Sequence, residues 1–265
     1  MKTTQTEWGH SRWASLERCP REHHLNYNLG IRSLESRTAA SVGIALHRGL
    51  AARYDAIKLG VKIDPIRAIT VGNEPTHVAA EARRLYDAYN RYWGDRGDFE
   101  KVIAVERHVR AKNVPFTTRL DLVVEMGKGE KVLVDHKSAS ASRGDFLAEH
   151  QASSQFVGSV LAWPWKRKGE LRVVLNRIIK TNVPSFDRPE FVVSEVQVER
   201  FERDITLLEH DLNRYAVNGY WPRHRSSCQT RYGLCQFFAL CHQGGVNQAA
   251  NYKIPVGVDL ESELR

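Results

Sequence analysis

The sequence predicts an α/β fold in which a central mixed β-sheet is flanked by helices. Two observations carry this expectation. Apolar residues recur at three- and four-residue steps as far as Tyr92, alternate at a period of two between Val102 and Lys137, then return largely to helical spacing. Helices, then a run of strands, then helix, strands and helix describe a sheet with covered faces. The composition agrees, since 42% hydrophobic and 26% charged content over 265 residues is a globular ratio. One domain over 1–265 is expected, with a core at about 39–218 and a cap formed by 1–38 and 219–265.

Each element has a local reason. Residues 11–27 carry Trp13, Leu16, Leu25 and Tyr27 and read as a short helix interrupted at Cys19-Pro20. Residues 39–59 read as a helix with Ile44, His47, Ala51 and Tyr54 along one stripe. Residues 76–92 form another, with Val78, Ala82, Leu85 and Tyr89 inward and Arg83-Arg84 outward. After the break at Gly94 to Gly97, strands are expected at 102–109, 117–126 and 131–137. A helix over 147–165, strands over 171–180 and 191–198 around a loop at 182–189, and a helix over 198–218 complete the pattern. The Trp221-Pro222 stop then leads into a cysteine-bearing tail.

Several classes of protein are excluded or disfavoured. No apolar run approaches the ~20 residues of a membrane span, and residues 1–7 lack the apolar core of a secretion leader. A cytoplasmic setting is expected, the host cytoplasm if the chain is phage-encoded. Four cysteines are too few for a disulfide scaffold. No Gly-x-x-x-x-Gly-Lys-Ser/Thr loop occurs, so ATP dependence is not expected. Lys+Arg 39 against Asp+Glu 31 leaves a net charge of +8, which suits a polyanionic partner.

The stretch from Arg119 to Lys137 is the most informative. Two apolar strands flank Gly127-Lys128-Gly129, and a three-residue hairpin loop with Gly129 in the left-handed region pairs Met126 with Glu130. Asp121 then lies opposite Asp135, and Arg119 opposite Lys137. Directly opposed side chains share a face, as do Asp135 and Lys137 two residues apart. Two carboxylates and a lysine therefore converge. Close carboxylates repel unless a proton or a cation lies between them, and magnesium prefers oxygen ligands of this kind. The same residue types also occur in solvated surface ion pairs, but the apolar neighbours on both strands favour burial.

With these residues in view, the chain resembles the PD-(D/E)XK nuclease superfamily, in particular its RecB-like branch with AddB-type and CRISPR-adaptation exonucleases. Four stretches carry the resemblance: Ser11…Cys19-Pro20-Arg21…Tyr27, Gly43-Ile44-Ala45-Leu46-His47, Asp121…Asp135-His136-Lys137, and Cys228, Cys235 and Cys241 after Trp221-Pro222. It implies a restriction-endonuclease-like core with Asp121, Asp135, His47 and the His136 carbonyl around Mg²⁺ or Mn²⁺. It also implies Lys137 positioning the attacking water, Glu106 in support, and Gln155 contacting DNA near the site. The family's Tyr four residues after that Gln is Ser159 here, with Gln151 or Trp163 as substitutes. His47 also reads as a plain packing residue on its apolar stripe.

The cysteine spacing lacks the close Cys-x2-Cys pairs of zinc ribbons. The resemblance implies that Cys19, Cys228, Cys235 and Cys241 ligate a [4Fe–4S] cluster joining the two ends of the chain, with zinc as the alternative occupant and four unrelated buried cysteines as the plain reading. Arg18, Arg21, Arg143, Lys166, Arg167, Lys168, Arg172, Arg223, Arg225 and Arg231, interleaved with Trp163, Trp165, Trp221 and Tyr232, suit a single-strand surface. The resulting expectation is a metal-dependent DNA exonuclease acting on single-stranded or end-containing DNA in recombination, repair or end processing. The alternatives are an inactive DNA-binding scaffold with the nuclease fold and a structure-specific endonuclease.

Overall fold

A computed structural model describes residues 8–34, 38–62, 64–71, 75–139, 145–165, 170–230 and 233–264. The chain divides into two compact units, one comprising 37–112 and 117–200, the other 1–36, 113–116 and 201–265. In chain order the elements begin with α1 (His10–Arg18), α2 (Pro20–His23) and the short strand β1 (Arg32–Ser33). The expected interruption falls at Cys19, whose extended backbone ends α1 and places Pro20 at the first position of α2, where a missing N–H costs nothing.

The first unit contains α3 (Thr38–Leu59), α4 (Pro65–Thr70), α5 (Thr76–Arg96), β2 (Val102–Arg110), β3 (Thr117–Met126), β4 (Glu130–Ala139), α6 (Phe146–Gln151), α7 (Ser154–Leu161), β5 (Leu171–Ile179), β6 (Ser185–Asp187), β7 (Glu190–Val193) and the start of α8 (Glu195–Asn218). Strand order is β2-β3-β4-β5, with β6 and β7 both antiparallel along the far side of β5. β4 and β5 are parallel, and the crossover this demands is α6 with α7. The sheet is therefore mixed and flanked by helices, as the sequence predicts.

The hairpin register follows the expectation over its paired length, from Met126 opposite Glu130 to Leu122 opposite Val134. Gly129 takes the left-handed backbone. Lys128 takes it too, at φ 63°, so the loop is not the type I turn expected.

Four boundaries differ from the periodicity reading. The helix expected over 147–165 is two helices, because Ser153 caps α7 by accepting from the Gln155 N–H. α8 begins at Glu195 because Ser194 and Gln197 form a reciprocal capping box, Gln197 N to Ser194 Oγ and Ser194 N to Gln197 Oε1 at 2.9 Å. The loop at 182–189 contains β6, which is only three residues long and leaves no alternation to read. α4, a six-residue helix capped by Asp64, was too short for its period to register.

α3 corrects the stripe assignment. Its core-facing residues are Val42, Ala45, Leu46, Leu50 and Tyr54, whereas Ile44 is 58% exposed. An alanine-rich helix offers two apolar stripes, and periodicity alone does not choose between them. Two glycines let α3 approach its neighbours. A Cβ on Gly43 would meet Ser138 Oγ of β4 at 3.3 Å, and one on Gly49 would meet Ile69 of α4 at 2.8 Å.

The second unit holds the end of α8, then β8 (Gln229–Thr230), β9 (Gly233–Leu234), α9 (Phe238–His242), β10 (Tyr252–Lys253) and α10 (Leu260–Leu264). β10 pairs with β1, tying the tail to the start of the chain. Leu25, Ile31, Phe237, Leu240, Tyr252 and Leu260 form its core. Among the described residues no helix is long and apolar enough to cross a membrane.

Gly49→Ala tests the α3–α4 contact. Helix propensity favours alanine by up to about 1 kcal/mol, but overpacking against Ile69 costs about 1–3 kcal/mol. The expected outcome is a net loss of stability, read as a lowered thermal midpoint.

Candidate active site

The candidate site forms where the β3–β4 ladder stops. The last pair is Leu122 with Val134, and beyond it the His136 N–H donates to Asp121 Oδ2 at 3.0 Å. The alternation of β4 sends neighbouring side chains to opposite faces. Asp135 and Lys137 meet Gln155 on α7, while His136 turns to Tyr54 of α3 and Asn176 of β5.

His47 enters from α3 and sets Nδ1 3.4 Å from Asp121 Oδ2. Glu106 completes a triad: ligand atoms of His47, Glu106 and Asp121 lie within 4.8 Å of one another. Glu106 has φ 46°, a left-handed backbone rarely adopted by a side-chain-bearing residue. The β2–β3 ladder pairs Val105 with Leu122 and Arg107 with Leu120 but not the residue between. A strained, unpaired residue beside a cluster of potential ligands is a common mark of a functional position.

Asp135 is 5% exposed. Its Oδ1 accepts from Gln155 Nε2 at 2.8 Å, and Gln155 Oε1 accepts from Lys137 Nζ at 3.0 Å. Lys137 Nζ also lies 2.8 Å from Asp135 Oδ2, but off the hydrogen-bonding direction, so that buried oxygen has charge compensation and no hydrogen bond. Burial and the nearby Asp135 carboxylate push the Asp121 carboxyl well above the usual carboxylate range. Burial raises the Glu106 carboxyl as well, against the pull of Arg119, whose Nε is 2.6 Å from Glu106 Oε2. Burial lowers His47 and, more strongly, His136, keeping both imidazoles neutral.

Two raised carboxyls, a neutral imidazole and a buried carboxylate oxygen without a hydrogen bond suit a hard divalent cation. Glu106, expected only in support, joins the triad, and its strand position opposite Asp121 is the signal the sequence holds for it. Gln155, expected against DNA, is held between Asp135 and Lys137. Ser159 is buried, donates to Gln155 O and lies 3.4 Å from Thr118 Oγ1, so it is packing rather than a surface contact. Gln151 is exposed, and Trp163 packs on Trp165.

In the other unit, Cys19, Cys228, Cys235 and Cys241 all line one cavity of about 20 Å³, together with Glu22, Arg223 and His242. Burial raises the three late thiols, Cys235 to about 11. Among the described residues the His47 triad is the close group of metal-ligating atoms. The thiols are thus not drawn into the tight tetrahedron that a zinc ion with 2.3 Å bonds requires.

The expected nucleic-acid surface is only partly present. Arg21 is buried and donates to the Glu263 carbonyl, and Trp221 is buried in a stack with His24. Apolar rings and a long arginine stem gain more from the core than from solvent. Arg18 pairs with Glu22, and Arg172 with Glu130 and Glu190. Arg223 donates to the Cys241 carbonyl, and Arg225 is exposed. Arg143, Lys166, Arg167, Lys168, Arg231 and Tyr232 lie outside the described residues.

The family model of the PD-(D/E)XK nuclease superfamily matches residues 7–242, and the chain belongs to that superfamily. Its members are nucleases that hydrolyse phosphodiesters with divalent metals. No curated protein matches the sequence. Among solved structures the chain is similar to a candidate exonuclease from Eubacterium rectale, at 13% identity over 82% of this chain and 84% of that one, with a TM-score of 0.49. It is also similar to the protein SSO0001, at 14% identity over 86% and 94%, with a TM-score of 0.33.

Glu106→Gln is expected to weaken Mn²⁺ binding by about tenfold or more, read by titration calorimetry. Because the Asp121 carboxyl must lose a tightly held proton before it can ligate, wild-type affinity falls as pH drops. The fall begins above the ordinary carboxylate range. Affinity that stays flat until the ordinary carboxylate range is reached contradicts the assignment.

Proposed function

We propose that the chain is a RecB-like DNA exonuclease acting on single-stranded or end-containing DNA in recombination, repair or end processing. The observation that carries the reading is the convergence of His47, Glu106 and Asp121 beside the Asp135–Lys137–Gln155 cluster. His47, Glu106, Asp121 and Asp135, with the His136 carbonyl, would hold Mg²⁺ or Mn²⁺, which supplies charge neutralisation at phosphorus and an acidified water. Lys137, fixed by Gln155 and Asp135, orients that water and stabilises the negative charge that grows on the phosphoryl oxygens. Gln155 bonds both the ammonium and the carboxylate and so fixes their positions relative to each other. The buried imidazole of His136 holds its own peptide in place, so the main chain joining Asp135 to Lys137 does not shift as charge develops.

The four cysteines would hold a [4Fe–4S] cluster of the AddB type. Their shared cavity supports this reading, as does the looseness of their grouping relative to a zinc tetrahedron. Protonated buried thiols make ligation proton-releasing, so loading strengthens as pH rises.

End-labelled single-stranded DNA incubated with Mg²⁺ or Mn²⁺ tests the activity. Cleavage is expected with metal, and a closed single-stranded circle is expected to survive. Asp135→Ala or Lys137→Ala is expected to lose about 100-fold or more in rate while retaining DNA binding. Wild-type protein inert with either metal supports a binding scaffold instead, and cut circles support an endonuclease.

Protein purified without oxygen is expected to be brown, to absorb in the visible blue region, and to lose iron on Cys235→Ala substitution. A colourless preparation with one zinc per chain overturns the cluster assignment.

A further inference from the structure

The stripe of α3 that does not enter the core lines a cleft. Gly43, Ile44, His47, Arg48, Ala51, Ala52 and Asp55 form one wall, Ala68 and Val71 another, and Glu106 and Arg119 are also part of the lining. The cleft has a volume of about 810 Å³, within the range of pockets that enclose a small organic ligand. Ile44 is 58% exposed and Val71 75%, so the apolar surface is uncovered.

We infer that this cleft seats the unpaired base of the nucleotide next to the scissile phosphate, an assignment that rests on the nuclease reading above. The occupant follows from continuity with the ion site. His47 and Glu106 belong both to the triad and to the cleft wall, so a phosphodiester held at the triad has the cleft open to one of its two nucleosides.

The wall chemistry selects the base rather than the backbone. The methyl groups of Ala51, Ala52 and Ala68 and the branched side chains of Ile44 and Val71 suit a flat aromatic face. Asp55 on the same wall repels a run of phosphates. Arg48 is occupied as a brace, donating to the Ala68 and Ile69 carbonyls at 3.1 and 3.2 Å. Arg119, paired with Glu106 and more than half exposed, gains a phosphate as its alternative partner when that carboxylate turns to a cation. The alanine, Ile44 and Val71 side chains offer a base face no fixed pattern of donors and acceptors, so stacking on them accepts every base. A base enclosed there has given up its Watson–Crick partner, a cost that is smallest on a strand already single. The strand preference then originates in the cleft rather than in the metal chemistry.

The test uses wild-type protein with Mn²⁺ and single-stranded oligonucleotides in which one abasic residue is walked past the cleaved bond. At one position adjacent to that bond the abasic residue is expected to raise KM about tenfold, the lower end of what enclosing one base is worth. Ala52→Phe, which fills the cleft from a half-buried position, is expected to raise KM similarly on the intact strand and to add little on the abasic one. Ala68→Leu serves the same comparison if Ala52→Phe does not fold. Additive penalties, or a wild-type KM indifferent to the abasic residue at every position, overturn the subsite while leaving the nuclease reading standing. Wild-type protein that cleaves no DNA removes the nuclease reading and the subsite with it.

Discussion

The hydrogen bond from the His136 N–H to Asp121 Oδ2 is the constraint on which the site depends. In a continuing antiparallel ladder that amide would pair with a carbonyl across the hairpin. Donating to a side chain instead, it ends the ladder at Leu122–Val134 without leaving a buried N–H unsatisfied. The strands part just where the acidic residues sit, and the gap admits His47 from one side and Gln155 from the other. The sheet is stable because its ladder is satisfied; the site exists because the ladder is satisfied by the wrong kind of acceptor.

Behind the site the protein invests in a buried polar network. His136 Nδ1 meets Asn176 Nδ2 at 2.7 Å, Asn176 donates to the Tyr89 hydroxyl at 2.8 Å, and Tyr89 and Tyr54 share a 2.6 Å hydroxyl contact. Tyr54 in turn donates to Asp98, which Arg53 and Arg188 neutralise. Arg188 is clasped by the rings of Trp93 at 3.4 Å and Phe99 at 3.9 Å. Leaving any buried member unpaired costs about 1–3 kcal/mol, so the chain from α3 through α5 to β5 holds the His136 peptide in one position. That rigidity is what a preorganised electrostatic site needs.

The second unit solves a different problem. Its core is small and rich in rings, with His23 stacked near-parallel to both Trp8 and Trp221. Burial pushes that imidazole down to about 4, so it packs as a neutral aromatic at physiological pH. The cysteine cavity lies beside this core, where the β1–β10 pair and Arg21 fasten the tail to the first residues.

Alternation and loop length, both local properties of the chain, carry the sheet-and-helix pattern, the hairpin register and the convergence of Asp121, Asp135 and Lys137. His47 and Gln155 enter only through the family resemblance, and the contact of Gln155 with Asp135 and Lys137 is a result of packing. Tertiary structure alone decided that Glu106 joins the triad, that the Ile44–His47–Ala51 stripe faces a cleft instead of the core, and that Arg21 and Trp221 are buried. Each of those depends on what lies across space from the residue: a left-handed residue of β2 opposite Asp121, a short helix braced by Arg48, a stack of histidines. Periodicity records how often a side chain returns to a face, and only packing decides what that face meets.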